Sequence, residues 1–197
     1  MLVLAIDSSA DKIALCVFDS ETDFSHFNLS LEKRSSNLLE HLVSEFKQYN
    51  LSPRDLGLIL TVSGPGSFTG IRTSATIAKT LSAELGLKIF SANKFELLRF
   101  KLNNYQAKIA IPAGKNDFFI SKSSNYADFT DNYFSFDKPS QDITLLDNIL
   151  SIDILIDFWK NNKCLKSHYF EHEEFQPYYL REPSIGQVKI PTEIRTP

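Results

Sequence analysis

The sequence predicts an α/β fold: a mixed five-stranded sheet with flanking helices, followed by a smaller second lobe. Three observations carry this. A short apolar run, Leu2-Val3-Leu4-Ala5-Ile6, reads as a central strand buried on both faces. Two further strand patterns follow it at meander spacing. From residue 35 onward helical and strand patterns alternate, and a glycine-rich turn stands between the strongest pair.

The elements follow in order. Asp7 to Lys12 is a turn cluster, and Ile13 to Phe18 is the second strand. Asp23 to Leu31 alternates Phe24, His26, Leu29 and Leu31 against Ser25, Asn28 and Ser30, which gives the third. Leu38, Leu39, Leu42, Val43 and Phe46 recur at helical spacing behind a cap at Ser35 or Ser36. Ser52 caps a short turn with Pro53 first in it. Leu58 to Ser63 is a strand, Ser74 to Leu85 a helix that Gly86 ends, Lys88 to Ser91 a strand and Lys94 to Phe100 a short helix. Residues 1–103 form the first lobe on this reading, and 104–182 the second. Its Lys108–Ile111 strand forms a hairpin with Asp117–Lys122. Asp142 to Leu150 is expected helical, Ile152 to Ile156 a strand, and 183–197 an irregular tail.

Composition excludes several classes. The chain has 197 residues, an apolar fraction of 43% and a charged fraction of 23%, as in an ordinary globular protein. A net charge of −3 argues against unaided nucleic-acid binding, which rests on clustered Lys and Arg. Two distant cysteines, Cys16 and Cys164, fit a reducing compartment, and Cys16 reads as a small core hydrophobe. Asp7 interrupts the first apolar run too early for a signal peptide or a membrane span, so a cytoplasmic protein is expected.

Four motifs bear on chemistry. Gly64-Pro65-Gly66-Ser67-Phe68-Thr69-Gly70, followed by Ile71-Arg72, places three of the seven glycines within seven residues. Its spacing matches neither a Walker loop nor the dinucleotide fingerprint. Gly64, Pro65, Gly66, Gly70 and Arg72 are therefore expected to shape the loop and the helix start. Asp7-Ser8-Ser9 reads first as an Asx-type turn, with a phosphate grip as the alternative. Gly70, Ser74, Ala78 and Ser82 fall four apart, and Ala75 widens this stripe of small residues, which invites close approach by the sheet and by a second helix or a partner. His168-Tyr169-Phe170-Glu171-His172 matches H-x-x-E-H, a zinc-hydrolase pattern when helical. No helix pattern surrounds it, so a solvated charged segment is the default and a metal site the alternative.

The strand and helix order is that of half an actin-like, sugar-kinase-like ATPase fold (ASKHA). Ile6-Asp7-Ser8-Ser9, Leu38-Leu39, Gly64 to Arg72, Ala78-Lys79 and Tyr179-Leu180-Arg181-Glu182-Pro183 together resemble the TsaB (YeaZ) family. Ile111 to Phe119 resembles that family's second-lobe strand entry, with Pro112 in place of its usual Asp. Arg34-Ser35 stands where the family often has His-Ser. The resemblance implies a catalytically inactive actin-like subunit with a degenerate second lobe. Such a subunit would support a TsaD-like catalytic partner in threonylcarbamoylation of the adenosine beside the anticodon of tRNA. It implies no cofactor on this chain, with ATP and metal held by partner subunits, and a TsaE-like ATPase in the assembly. It also implies tRNA contact only through the complex, no membrane, and a helical interface usable for a homodimer as well. Leu38, Leu42, Ser74, Ala75, Ala78 and Ser82 are the expected contacts, with Asp7, Ser8 and Ser9 as a vestigial phosphate loop. The rivals are an ATP-binding enzyme of the actin-like class and a zinc hydrolase using His168, Glu171 and His172.

Overall fold

The computed structural model describes residues 1–32, 38–114, 116–122, 132–135, 137–146 and 152–180. Along the chain run β1 (Leu2–Asp7), β2 (Lys12–Asp19), β3 (Ser25–Glu32), α1 (Leu38–Gln48), β4 (Leu56–Val62), α2 (Phe68–Leu85), β5 (Ile89–Ala92) and α3 (Lys94–Lys101). There follow β6 (Ile109–Pro112), β7 (Phe118–Ser121), β8 (Asn132–Ser135), β9 (Thr144–Leu145), α4 (Ile152–Asn161) and β10 (Tyr169–Phe170). The caps expected at Ser35 or Ser36, the Arg34-Ser35 pair, Arg181 to Pro183 and the tail lie outside the described residues.

The first sheet has the order β10-β5-β4-β1-β2-β3. The three-strand meander is antiparallel, whereas β4 and β5 run parallel to β1. Five strands are those expected; the sixth is a two-residue edge strand, Tyr169 opposite Phe90 and Phe170 opposite Ile89. In β1, Leu4 and Ile6 enter one core cluster with Leu38, Leu42 and Phe46 of α1 and Ile77 of α2. Val3 and Ala5 enter another with Leu155, Phe158 and Trp159 of α4. Burial of both faces is why the strand shows no polar alternation. In β3 the inward phase is Phe27, Leu29 and Leu31, and Phe24 is exposed. A register shift at Val17/Phe18 accounts for the broken alternation in the sequence.

The second sheet, β8-β7-β6-β9, contains the expected hairpin, with Ile111 opposite Phe119. Helix α3 lies between the two sheets. Leu97 enters the first core, while Phe95 and Leu98 meet Ile109, Ile111 and Phe119. Its buried Arg99 donates from Nε to the Ala107 carbonyl (2.9 Å) and from its terminal nitrogen to Ser121 Oγ (2.8 Å). With little solvent face to spare, the helix buries Lys94, Glu96 and Arg99 along with Phe95, Leu97 and Leu98.

Two element expectations are corrected. Ile152–Ile156 is not a strand but the start of α4, where Ile152, Leu155, Phe158 and Trp159 are buried at helical spacing against the first sheet. Asp142 is not helical: it lies in a turn before β9, and residues 147–150 lie outside the described set. Ser52 and Asp55 do form a reciprocal capping box around Pro53–Asp55, and Gly86 ends α2 at φ 65°.

Candidate functional site

Helix α2 begins at Phe68, six residues before the expected Ser74, because Ser67 caps it: Ser67 Oγ accepts from the Gly70 N–H at 3.3 Å. Gly70 and Arg72 therefore stand inside the helix, and the true loop is only Ser63 to Ser67. Three close approaches explain its glycines. A β-carbon at Gly66 would strike the Ser9 carbonyl oxygen, and one at Gly70 the Ser8 carbonyl oxygen. One at Gly64, where φ is +127°, would strike the Tyr178 carbonyl oxygen. Glycine is needed where backbones meet this closely. The Gly64–Pro65 peptide bond is cis.

The Asp7-Ser8-Ser9 turn is buried, each residue at most 1% exposed. Its groups are used internally. Asp7 Oδ1 accepts from the Ser9 N–H (2.9 Å) and from Ser9 Oγ (2.6 Å), an Asx-type turn. Ser8 Oγ donates to the Gly70 carbonyl at 2.5 Å, and Ser67 N–H donates to the Ser9 carbonyl at 2.9 Å. The glycine loop thus fills the space in front of the turn. On the other side, Tyr178 N–H donates to the Ser63 carbonyl and Lys94 N–H to the Gly64 carbonyl, both at 2.7 Å.

The small-residue stripe of α2 is covered by the chain itself. Ser74, Ala75, Ala78 and Ser82 are at most 4% exposed, and Ala75 and Ala78 pack on Ile59, Ile89 and Phe175. Lys79 Nζ donates to the Phe175 carbonyl at 3.1 Å, which fixes that segment on the helix. Leu38 and Leu42 of α1 are likewise buried, at 3% and 4%. This corrects the expected partner contacts: all six side chains are buried, the α2 stripe under the sheet and the returning 170–178 segment and Leu38 and Leu42 in the core with Leu4, Ile6 and Phe46. What α1 presents outward is Leu39 (57% exposed) and Val43 (45% exposed), one helical turn apart. Arg72 is exposed on α2, its guanidinium 5.3 Å from the Phe68 ring centre, and Phe68 in turn meets Tyr179 at 4.9 Å.

The H-x-x-E-H segment is not helical. Lys166–His168 is a single 3-10 turn and Tyr169–Phe170 is β10, so His168 and His172 do not share a helix face. Glu171 pairs with Lys88 Nζ at 2.6 Å, and His168 Nε2 lies 3.4 Å from Glu96 Oε1 instead. Among the described residues no three His, Cys, Asp or Glu side chains are grouped to hold a metal ion. No described helix is long and apolar enough to cross a membrane.

Residues 29–145 match the family model described as "TsaD: tRNA N6-adenosine threonylcarbamoyltransferase", more than half of the chain. Curated proteins named tRNA threonylcarbamoyladenosine biosynthesis protein TsaB align with the same chain. The Bacillus subtilis (strain 168) protein is 31% identical over 99 residues, 50% of this chain and 43% of that protein. The protein of Buchnera aphidicola subsp. Acyrthosiphon pisum is 27% identical over 125 residues, 61% of this chain and 57% of that protein. The chain belongs to this family, as a TsaB (YeaZ) relative. It spans about half the length of the curated TsaB proteins it matches. YeaZ from Pseudomonas aeruginosa superposes with a TM-score of 0.64, covering 91% of this chain and 99% of that one. At 13% identity that likeness shows the fold, which is the actin-like one. The stretch matched by the family model takes in α1, the glycine loop, α2 and the β6–β7 hairpin, and stops before α4.

Sequence reasoning missed Phe175, which covers the small-residue stripe of α2, and Tyr178, which clasps the glycine loop. It also missed Glu96 as the partner of His168. Asn93-x-x-Glu96 was a readable signal, since it is a capping box: Glu96 Oε2 accepts from the Asn93 N–H at 2.8 Å.

Proposed function

We propose that this protein is a non-catalytic subunit in the biosynthesis of threonylcarbamoyladenosine in tRNA, acting by supporting a TsaD-like catalytic partner. The observation that carries the reading is the filled phosphate turn. In an actin-like ATPase the turn between the first two strands must leave backbone N–H groups and hydroxyls facing a phosphate. Here Ser8 and Ser9 are bonded to Gly70, Ser67 and Asp7, and the glycine loop stands where a phosphate would enter. ATP and any metal then belong to partner subunits, a TsaE-like ATPase among them, and tRNA is met through the assembly.

The partner surface is the outer side of α1 with the adjoining α2. Leu39 and Val43 form an exposed apolar stripe there, and Thr76 and Thr80 are exposed, uncharged positions on α2. A second copy of the chain would use the same face when the partner is absent. The chain would act by biasing its partner towards a competent conformation, which needs differential contacts and no chemistry of its own.

Leu39→Arg with Val43→Arg tests this. Both positions are exposed, so thermal stability should hold to within about 0.5 kcal/mol. Capture of the TsaD-like subunit should weaken by about tenfold or more, as when a central apolar contact is lost. Undiminished capture by the folded double variant overturns the interface. Calorimetry with ATP and magnesium on the isolated chain tests the inactive status, and saturable tight binding with turnover would overturn it.

A further inference from the structure

Between the end of β5, the start of α3 and the returning 166–178 segment lies a cavity of about 420 Å³. It is separate from the filled turn and from the outer face of α1. Ser63, Ser91, Asn93, Glu96, Ser167, His168 and Gln176 give its polar lining, and Phe170, with Phe175 and Tyr178 beside it, an aromatic one. Among the described residues no Lys or Arg lines it.

Donors in the lining come from Asn93, Ser167 and Gln176, whereas the stretch around Glu96 offers mostly acceptors. Ser91 Oγ gives its proton to the Thr61 carbonyl at 3.0 Å, and Ser63 Oγ gives its proton to the Ala92 carbonyl at 3.3 Å. Each hydroxyl is left with lone pairs only. Glu96, 6% exposed, has one oxygen bonded to the Asn93 N–H. Its other oxygen has only His168 Nε2 at 3.4 Å, about half an ångström longer than a charge-assisted hydrogen bond. His168 is held back by its own packing, stacked on Phe90 and leaning on Phe158, each ring centre 5.5 Å away. A nearly buried carboxylate oxygen is thus short of a good donor, in a cavity with aromatic walls.

We propose that this cavity binds an amino-bearing planar ring, the base of an uncharged aminopurine or aminopyrimidine nucleoside. Its exocyclic amino group donates to Glu96 Oε1 and its ring lies against Phe170. A phosphate gains nothing here, because Glu96 repels it and no lysine or arginine lines the cavity to offset that. The site is a property of the isolated chain and does not rest on the partner reading, so its failure would leave that reading standing.

Calorimetry on the full chain with adenosine and inosine provides the test, with cytidine and uridine as the smaller pair. Inosine and uridine present a carbonyl where adenosine and cytidine present the amino group. Adenosine or cytidine should saturate the protein, and its carbonyl counterpart should bind at least about tenfold more weakly, the effect of losing one charged hydrogen bond. Adenosine monophosphate should bind no tighter than adenosine. Glu96→Gln keeps the capping box, since Gln serves at that position as well as Glu, and should preserve the melting temperature while closing the amino-over-carbonyl gap. No saturation by either amino nucleoside at millimolar concentration, equal affinity within both pairs, tighter binding of the monophosphate, or an unchanged gap in Glu96→Gln would each overturn the proposal.

Discussion

Gly70→Ala isolates the contact on which the filled turn depends. The new β-carbon would stand on the Ser8 carbonyl oxygen, a backbone atom held between β1 and β2 that has no rotamer to escape into. Forcing this much volume into a packed site costs about 1–3 kcal/mol. The hydrogen bonds from Ser8 Oγ to the Gly70 carbonyl and from Ser67 N–H to the Ser9 carbonyl stretch with it, at about 1 kcal/mol each. Alanine's better helix propensity returns about 1 kcal/mol. The net expected loss is about 2–4 kcal/mol, which lowers a urea midpoint by roughly 1–2 M at an m of about 2 kcal/mol/M. Gly86→Ala is the control. There a β-carbon meets nothing within 4 Å, and only the left-handed backbone at φ 65° resists, at about 1–2 kcal/mol. A Gly70→Ala loss below about 1 kcal/mol would refute the close-approach reasoning, because the clash and the stretched hydrogen bonds would then barely exceed the gain of about 1 kcal/mol from helix propensity.

Ala78→Arg, which the small-residue stripe first marks as an interface change, should instead abolish folding. Ala78 is fully buried against Ile59, Ile89 and Phe175, so a cation there should cost more than about 4 kcal/mol; a native melting transition would contradict this. Thiol titration of the native chain should count one fast group, the exposed Cys164. Cys16, buried and with its thiol pushed up by desolvation, should react only in denaturant. The hydrogen bond from Lys108 Nζ (2.6 Å), reinforced by Ser140, holds the Asp142 carboxyl at about 2, below its ordinary 3.8. Its small contribution to stability is present above pH 3.8 and is lost as pH falls towards 2. Lys108→Met should move the carboxyl's NMR midpoint back towards 3.8, and an unmoved midpoint would exclude the lysine as the main cause.

The meander, the hairpin of the second lobe and α1 to α3 were legible because each writes its period into consecutive residues. Helix α4 was not. Ile152 to Ile156 is β-branched and nearly continuous, and its helical phase declares itself only when Phe158 and Trp159 are read with it. Strand β10 has two residues, too few for any alternation, and exists because the edge of β5 needs a partner. The glycine spacing was plain in the sequence but its cause was not. The atoms that forbid a side chain belong to Ser8, Ser9 and Tyr178, the last more than a hundred residues away. For the same reason a stripe of small residues announces a close neighbour without saying whose. On α2 that neighbour is the chain's own sheet and Phe175.

The return of residues 152–178 to the first sheet also sets an order of events at the ribosome. A nascent chain that has emerged as far as Lys101 has made every strand of the meander, β4 and β5, yet the side of the sheet facing α4 has only α3, through Leu97, to cover it. Leu60, Phe90 and Ala92 lack most of their cover there until Leu155, Phe158 and Trp159 arrive. The β5 edge stays unpaired until Phe170, and the glycine loop stays unclasped until Tyr178 donates to Ser63. At a synthesis rate of about 5–20 residues per second, that interval lasts several seconds. During it the growing protein exposes an aggregation-prone strand edge, and a chaperone that shields such edges would find its substrate there.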